Sequence, residues 1–175
     1  MIYFDNAATT RIKPQEVYDA ALEYMRDIGV SPGRGSYQLG IEASRRLYHS
    51  RCCVGRFFGL TEPDRVVFTK NSTEAINLLL NGLLREGDHV VISCFEHNAV
   101  LRPLETLKRA GWVDYSVVQP DDLSLSPDKL YLKYATNKTR LITFTLASNL
   151  TGRIVFREEV FKYFRKLVHG RMHNS

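Results

Sequence analysis

Val66-Val67-Phe68-Thr69-Lys70-Asn71-Ser72-Thr73-Glu74-Ala75-Ile76-Asn77 is the stretch on which the reading of this chain turns. Its first four residues, β-branched or aromatic, predict a buried strand over Val66–Thr69. A short polar turn follows, and the apolar spacing beyond it predicts a helix over Thr73–Leu84. The first N–H groups of such a helix have no intrahelical acceptor and carry the positive end of its dipole, so the turn is a ready anion site. The hydroxyls of Ser72 and Thr73 beside those N–H groups suit a phosphate. The same residues also read as an ordinary N-cap, because Asn71 with Glu74 three residues later is a capping-box variant. Taken alone, the segment supports both readings.

The pattern on either side repeats. Upstream, Pro14 suits a first helical position, and Val17, Ala20, Ala21, Tyr24, Met25 and Ile28 recur at helical spacing until Gly29. A loop, Ser31-Pro32-Gly33-Arg34-Gly35-Ser36, leads to a second helix marked by Leu39, Ala43, Leu47, Val54 and Phe58 and stopped by Gly59. Downstream, strand His89–Ser93 leads to helix Asn98–Ala110, and strand Val113–Val118 follows. Ser126 and Pro127 start a helix running to about Tyr134. Strand Leu141–Leu146 leads to a helix near Arg157–Val168, closed by Gly170. Strands alternating with helices predict βαβ units and a mostly parallel sheet with helices on both faces. In such sheets ligands bind beyond the C-terminal ends of the strands. Thr69–Thr73, Phe95–Asn98 and Ser148–Gly152 all fall just past predicted strand ends, on one rim.

Composition narrows the class. A chain of 175 residues with 44% apolar content suits one globular domain with a sizeable core. No apolar run is long enough for a membrane span, and the N-terminus lacks the pattern of a secretory signal. The net charge of +5 is uneven: residues 153–175 carry +4, and the remainder has 18 Lys/Arg against 17 Asp/Glu. The basic balance belongs to the tail rather than to a groove, which argues against nucleic-acid binding. Cys52, Cys53 and Cys94 form neither a disulfide framework nor a metal-ligand spacing, which fits a reducing cytoplasm.

Four segments together resemble a known family. They are Tyr3-Phe4-Asp5-Asn6-Ala7-Ala8-Thr9-Thr10, Ser72-Thr73-Glu74-Ala75-Ile76-Asn77, Glu96-His97-Asn98-Ala99-Val100-Leu101-Arg102-Pro103 and Ala147-Ser148-Asn149-Leu150-Thr151-Gly152. In this order and spacing the chain resembles the class V aminotransferases, pyridoxal-phosphate (PLP) enzymes, and within them the cysteine desulfurase and selenocysteine lyase branch. The resemblance runs from residue 1 to about residue 160. It implies the N-terminal part of the fold-type-I large α/β domain, with residues 1–13 lining the active-site entrance, 14–170 forming part of the PLP-binding domain and 171–175 as a non-matching tail.

The resemblance also implies roles. Ser72 and Thr73 match the family's phosphate-binding turn. His97 matches the histidine that stacks on the cofactor ring and relays protons; by itself, a histidine after a strand reads as a surface or capping residue. Asn149 matches the asparagine bonded to the ring hydroxyl, though Asn also suits the turn Ser-Asn-Leu-Thr-Gly. Asp5, Asn6, Ala7, Thr10 and Arg34 match the substrate entrance. No metal is implied. The implied activity is PLP-dependent removal of sulfur from cysteine, giving alanine and a persulfide, in a homodimer. The alternatives are a selenocysteine lyase, a small-amino-acid aminotransferase, or a non-catalytic remnant or interaction module. None of Lys70, Lys108, Lys129, Lys133 or Lys138 stands at the position of the family's Schiff-base lysine, and no cysteine matches its persulfide cysteine. The family's later segments have no counterpart, so the resemblance implies an N-terminal half, inactive alone and prone to associate through an exposed sheet edge.

Overall fold

The computed structural model describes residues 2–6, 8–155 and 157–172, with side chains through residue 165. The chain divides into two compact units, Met1–Phe68 and Thr69–Ser175.

The first unit is helical. Helix α1, Gln15–Glu23, begins directly after Pro14 and passes into a wide helical turn at Tyr24–Ile28. Gly29 ends it in the left-handed region, φ 57°, where a side chain would be strained. Helix α2, Gln38–Phe57, is followed by Gly59 at φ 70°. The loop between them is pinned by Ser44, whose Oγ accepts from Gly33 N–H at 3.0 Å and donates to Gly40 O at 2.9 Å. Gly35 lies at φ 91°, a backbone conformation that favours glycine, and a Cβ there would also lie 2.6 Å from the Tyr37 ring.

The second unit holds the sheet. Helix α3 is Ser72–Leu83, β1 Asp88–Ser93, α4 Asn98–Arg109, β2 Val113–Val118, α5 Pro127–Tyr134, β3 Thr139–Thr143 and α6 Glu158–Met172. The strand order is β2-β1-β3, and both pairings are parallel. The central strand β1 is buried on both faces, as its continuous run Val90-Val91-Ile92 demands. Alternation along it separates two cores. Val90 and Ile92 pack with Leu80 and Leu84 near α3 and with Val100 and Leu104 of α4. Val91 packs on the other face with Val118, Leu130 of α5, and Val160 and Phe164 of α6. Helices therefore cover both faces, as the alternating pattern predicts. No helix among the described residues is long and apolar enough to cross a membrane.

Three expectations are corrected. Val66–Thr69 forms no strand. The backbone is extended, with Val66 at φ −93° and ψ 114°, but Val67 and Phe68 are 64% and 50% exposed. Local sequence sets the extended conformation; a strand also requires a paired neighbour, which these residues lack. The third strand is Thr139–Thr143 rather than Leu141–Leu146. Thr145 N–H is taken by the Glu96 carboxylate at 2.6 Å, so the chain leaves β1 there. Finally, α6 passes through Gly170 to Met172. Glycine permits a left-handed cap without imposing one. Residues 173–175 and Ala7 lie outside the described residues.

Candidate functional site

Two helix starts make the site. At α3 the capping reading is realised: Asn71 Oδ1 accepts from Glu74 N–H at 2.9 Å, and Glu74 Oε2 accepts from Lys70 N–H at 2.7 Å. The first intrahelical bond runs from Ala75 N–H to Asn71 O, so the N–H groups of Ser72 and Thr73 precede the ladder. Both side chains are exposed. The cap is thus made by Asn71 and Glu74, and it leaves the side chains of Ser72 and Thr73 unused and exposed.

At α4 the N-cap is His97. Its Nδ1 accepts from Ala99 N–H at 3.0 Å. A backbone N–H can be accepted only by a ring nitrogen with a free lone pair, so the neutral ring carries its proton on Nε2. The ring is exposed. Capping and cofactor contact are again compatible, because the cap uses one nitrogen and leaves the ring face and Nε2–H outward.

Thr73 and His97 line one cleft of about 380 Å³, together with Asn77, Asn98, Arg102 and Thr106. That volume lies in the range of small-molecule sites. Sequence reasoning did not single out Asn77 and Arg102. Their signal was helical spacing, four residues after Thr73 and four after Asn98, which places them on the same walls. Arg102 adds a positive charge to two helix N-termini.

Asn149 is exposed and not among the residues lining that cleft. It sits in a tight loop. Ser148 Oγ accepts from Leu150 and Thr151 N–H, Gly152 N–H donates to Ser148 O, and Ala147 bridges Ile154. Asp5, Asn6, Thr10 and Arg34 belong to the first unit, and all are exposed. Asp5 O accepts from Ala8 and Thr9 N–H, and Asn6 Oδ1 accepts from Arg11 N–H at 3.3 Å. Among the described residues, no group of three or more His, Cys, Asp or Glu side chains could hold a metal ion.

Burial acts on three titratable groups near the strand ends. It pushes Glu96 up from the usual carboxylate range, against hydrogen bonds from Ser93 and Thr145 that pull it down. It pushes the Cys94 thiol up, which marks this cysteine as a poor nucleophile. It pushes His89 down; this residue is buried between Thr139 Oγ1 and Ser116 Oγ, each at 2.9 Å from a ring nitrogen.

A parallel sheet covered by helices on both faces defines the α/β class. Comparison narrows it: the aminotransferase class-V family model matches residues 2–172, and the chain belongs to that family. It is 36% identical over 160 residues to a probable cysteine desulfurase of Methanothermobacter thermautotrophicus, covering 91% of this chain and 39% of that protein. The apo cysteine desulfurase of Thermococcus onnurineus is similar in structure, with TM-score 0.70, 29% identity and coverage of 85% of this chain and 37% of the other. The structure of SspA in complex with cysteine gives TM-score 0.76 at 25% identity, covering 87% and 44%. The chain thus spans about two fifths of the length of the relatives it matches. PLP is the cofactor of this family.

Proposed function

We propose that this chain supplies the phosphate-binding and ring-facing part of a PLP-dependent cysteine desulfurase. The observation that carries this reading is the shared cleft of Thr73 and His97 at two helix N-termini. The donor set fits the cofactor. The N–H groups and hydroxyls of Ser72 and Thr73 suit its dianionic phosphate, with Arg102 adding charge. The outward face of His97 suits an aromatic ring, and Asn149 supplies an amide for a ring oxygen. When bound, PLP supplies the electron sink for chemistry at an amino acid's α-carbon. The chain's own residues hold and orient it. His97, fixed by Ala99 N–H at Nδ1, would offer its ring face to the cofactor and its Nε2–H as a hydrogen-bond donor.

The substrate is a small amino acid, cysteine or selenocysteine. The family's covalent-anchor lysine and persulfide cysteine come, in this reading, from a complementing segment. The chain works as a homodimer in a reducing cytoplasm. The three cysteines, all free, support that compartment, and the apolar residues exposed along α1 and the turn after it, Val17, Leu22 and Met25, support self-association.

Titrating the chain with PLP, followed by absorbance and equilibrium dialysis, tests the reading. Specific binding that weakens about tenfold or more in Thr73→Ala, through loss of a charge-assisted hydrogen bond, is expected. Equal binding by wild type and by a Ser72→Ala, Thr73→Ala double variant overturns it.

A further inference from the structure

The Glu96 carboxylate joins two loops that are far apart in sequence. One oxygen, Oε1, accepts from Ser93 Oγ–H at 2.6 Å and from Thr145 N–H at 2.6 Å. Ser93 ends β1 and is fully buried. Thr145 lies just past β3 and passes the connection on: its Oγ1 donates to Ala147 O at 3.1 Å. Ser148, itself buried, then gathers the N–H groups of Leu150 and Thr151 and anchors the turn that presents Asn149. On its other side Glu96 is bonded through the chain to His97, the N-cap of α4. The link bridges 49 residues.

We infer that Glu96 is a positioning residue that sets the Asn149 loop relative to the His97 turn, so that the two reach one bound cofactor. This deepens the proposed function and rests on it for the cofactor. The physical argument is that neither loop has regular structure to fix it. Residues 144–152 lie beyond the β3 ladder, and Phe95 and Glu96 lie beyond the β1 ladder. A half-buried carboxylate accepting two short hydrogen bonds ties them at Thr145, while the Arg153 guanidinium lies 5.5 Å over the Phe95 ring beyond the Asn149 turn. A charged acceptor suits this place, because both partners are donors. A neutral amide in the same position keeps one acceptor oxygen and adds an NH₂ group that needs a partner of its own.

The test uses the whole chain with Glu96→Ala, Glu96→Asp and Glu96→Gln, and reads amide hydrogen exchange and PLP binding. In Glu96→Ala, exchange at Thr145 and across 147–152 should rise about tenfold or more, while the amides of Val90–Ile92 stay protected. Glu96→Asp should do the same, since the shorter side chain cannot span both partners. Glu96→Gln should recover most of the protection. PLP affinity should follow the same order, falling by about tenfold in Glu96→Ala and recovering in Glu96→Gln. Where Glu96→Ala exposes β1 as well, Glu96→Asp decides. Unchanged exchange at 145–152 in the decisive variant overturns the coupling. Altered exchange with PLP affinity unchanged from a wild type that binds it overturns the positioning role. A wild type that binds no PLP removes the proposed function and with it the positioning role, whatever the exchange shows.

Discussion

The two units differ in how they are held together. In the second, β1 is buried on both faces and feeds two separate cores, each closed by helices. In the first, the described buried apolar residues are Ile28, Ala43 and Val66, and α1 buries none of its residues. Yet α1 carries apolar residues at helical spacing, as α4 does. Amphipathic pattern is therefore the same in both units, and burial is not. The second unit satisfies its pattern internally. The first presents Phe4, Ile12, Leu22 and Met25 to solvent.

The contrast can be broken most directly by matched truncations. Leu104→Ala removes a fully buried side chain from α4 and should cost about 2–5 kcal/mol in urea unfolding. Leu22→Ala on α1, where the side chain is exposed, should change stability by less than about 0.5 kcal/mol. Equal costs would mean that the first unit has a core of its own.

Next in size is His97→Ala. In an enzyme reconstituted with a complementing segment, sulfide release from cysteine should fall about a hundredfold, the usual loss when one acid–base group is removed. The cofactor's absorbance spectrum should shift with it. Wild-type turnover with an unchanged spectrum would remove His97 from the ring face. Borohydride reduction of the chain mixed with PLP, by contrast, should leave no single stoichiometrically labelled lysine; one uniquely labelled lysine would show that this chain anchors the cofactor unaided.

Light scattering sharpens the same comparison. The apolar residues exposed on α1 and the turn after it predict self-association, which Leu22→Glu with Met25→Glu should reverse without lowering the melting temperature of the second unit. A monodisperse monomer in the wild type would count against it.

The smallest effect is the pH dependence of His89. Burial holds its folded pKa below the unfolded value, so the folded state binds fewer protons. Stability is then flat above the unfolded pKa of about 6.5 and falls as pH drops below it, toward the folded value, by up to about 1.4 kcal/mol per pH unit. Asp114 raises and Lys108 lowers this pKa, both less than burial does. Glu96, held up, works in the opposite sense at lower pH, gaining relative stability as the carboxyl protonates. The slope of stability between pH 6.5 and 5.5, measured for wild type minus His89→Gln, isolates the histidine; no difference would show that His89 is accessible to water.

Much of this architecture was legible in the order of residues, because its signals are local. Helical spacing and the glycines at positions 29 and 59 placed α1 and α2. Alternating strands and helices predicted a parallel sheet covered on both faces, and strand Val113–Val118 fell where it was expected. The segments around Ser72 and Thr73 and around His97, together with those at Tyr3–Thr10 and Ala147–Gly152, carried the resemblance to the family. Sequence could not separate capping from ligand binding at either place, since both use the same free N–H groups. Only the folded chain shows that Asn71 and Nδ1 of His97 do the capping and leave the rest free. Tertiary structure also decided what depends on distant partners. Val66–Thr69 has the residues of a strand but no paired neighbour. Thr145 leaves β3 because Glu96, 49 residues earlier, takes its N–H. His89 is held below its usual pKa because the fold buries it, with Ser116 and Thr139 hydroxyls at its two ring nitrogens from the strands to either side. Dihedral preference and periodicity act over a few neighbouring residues, so a sequence displays them; hydrogen-bond pairing and burial are settled between segments, so they exist only once the chain has folded.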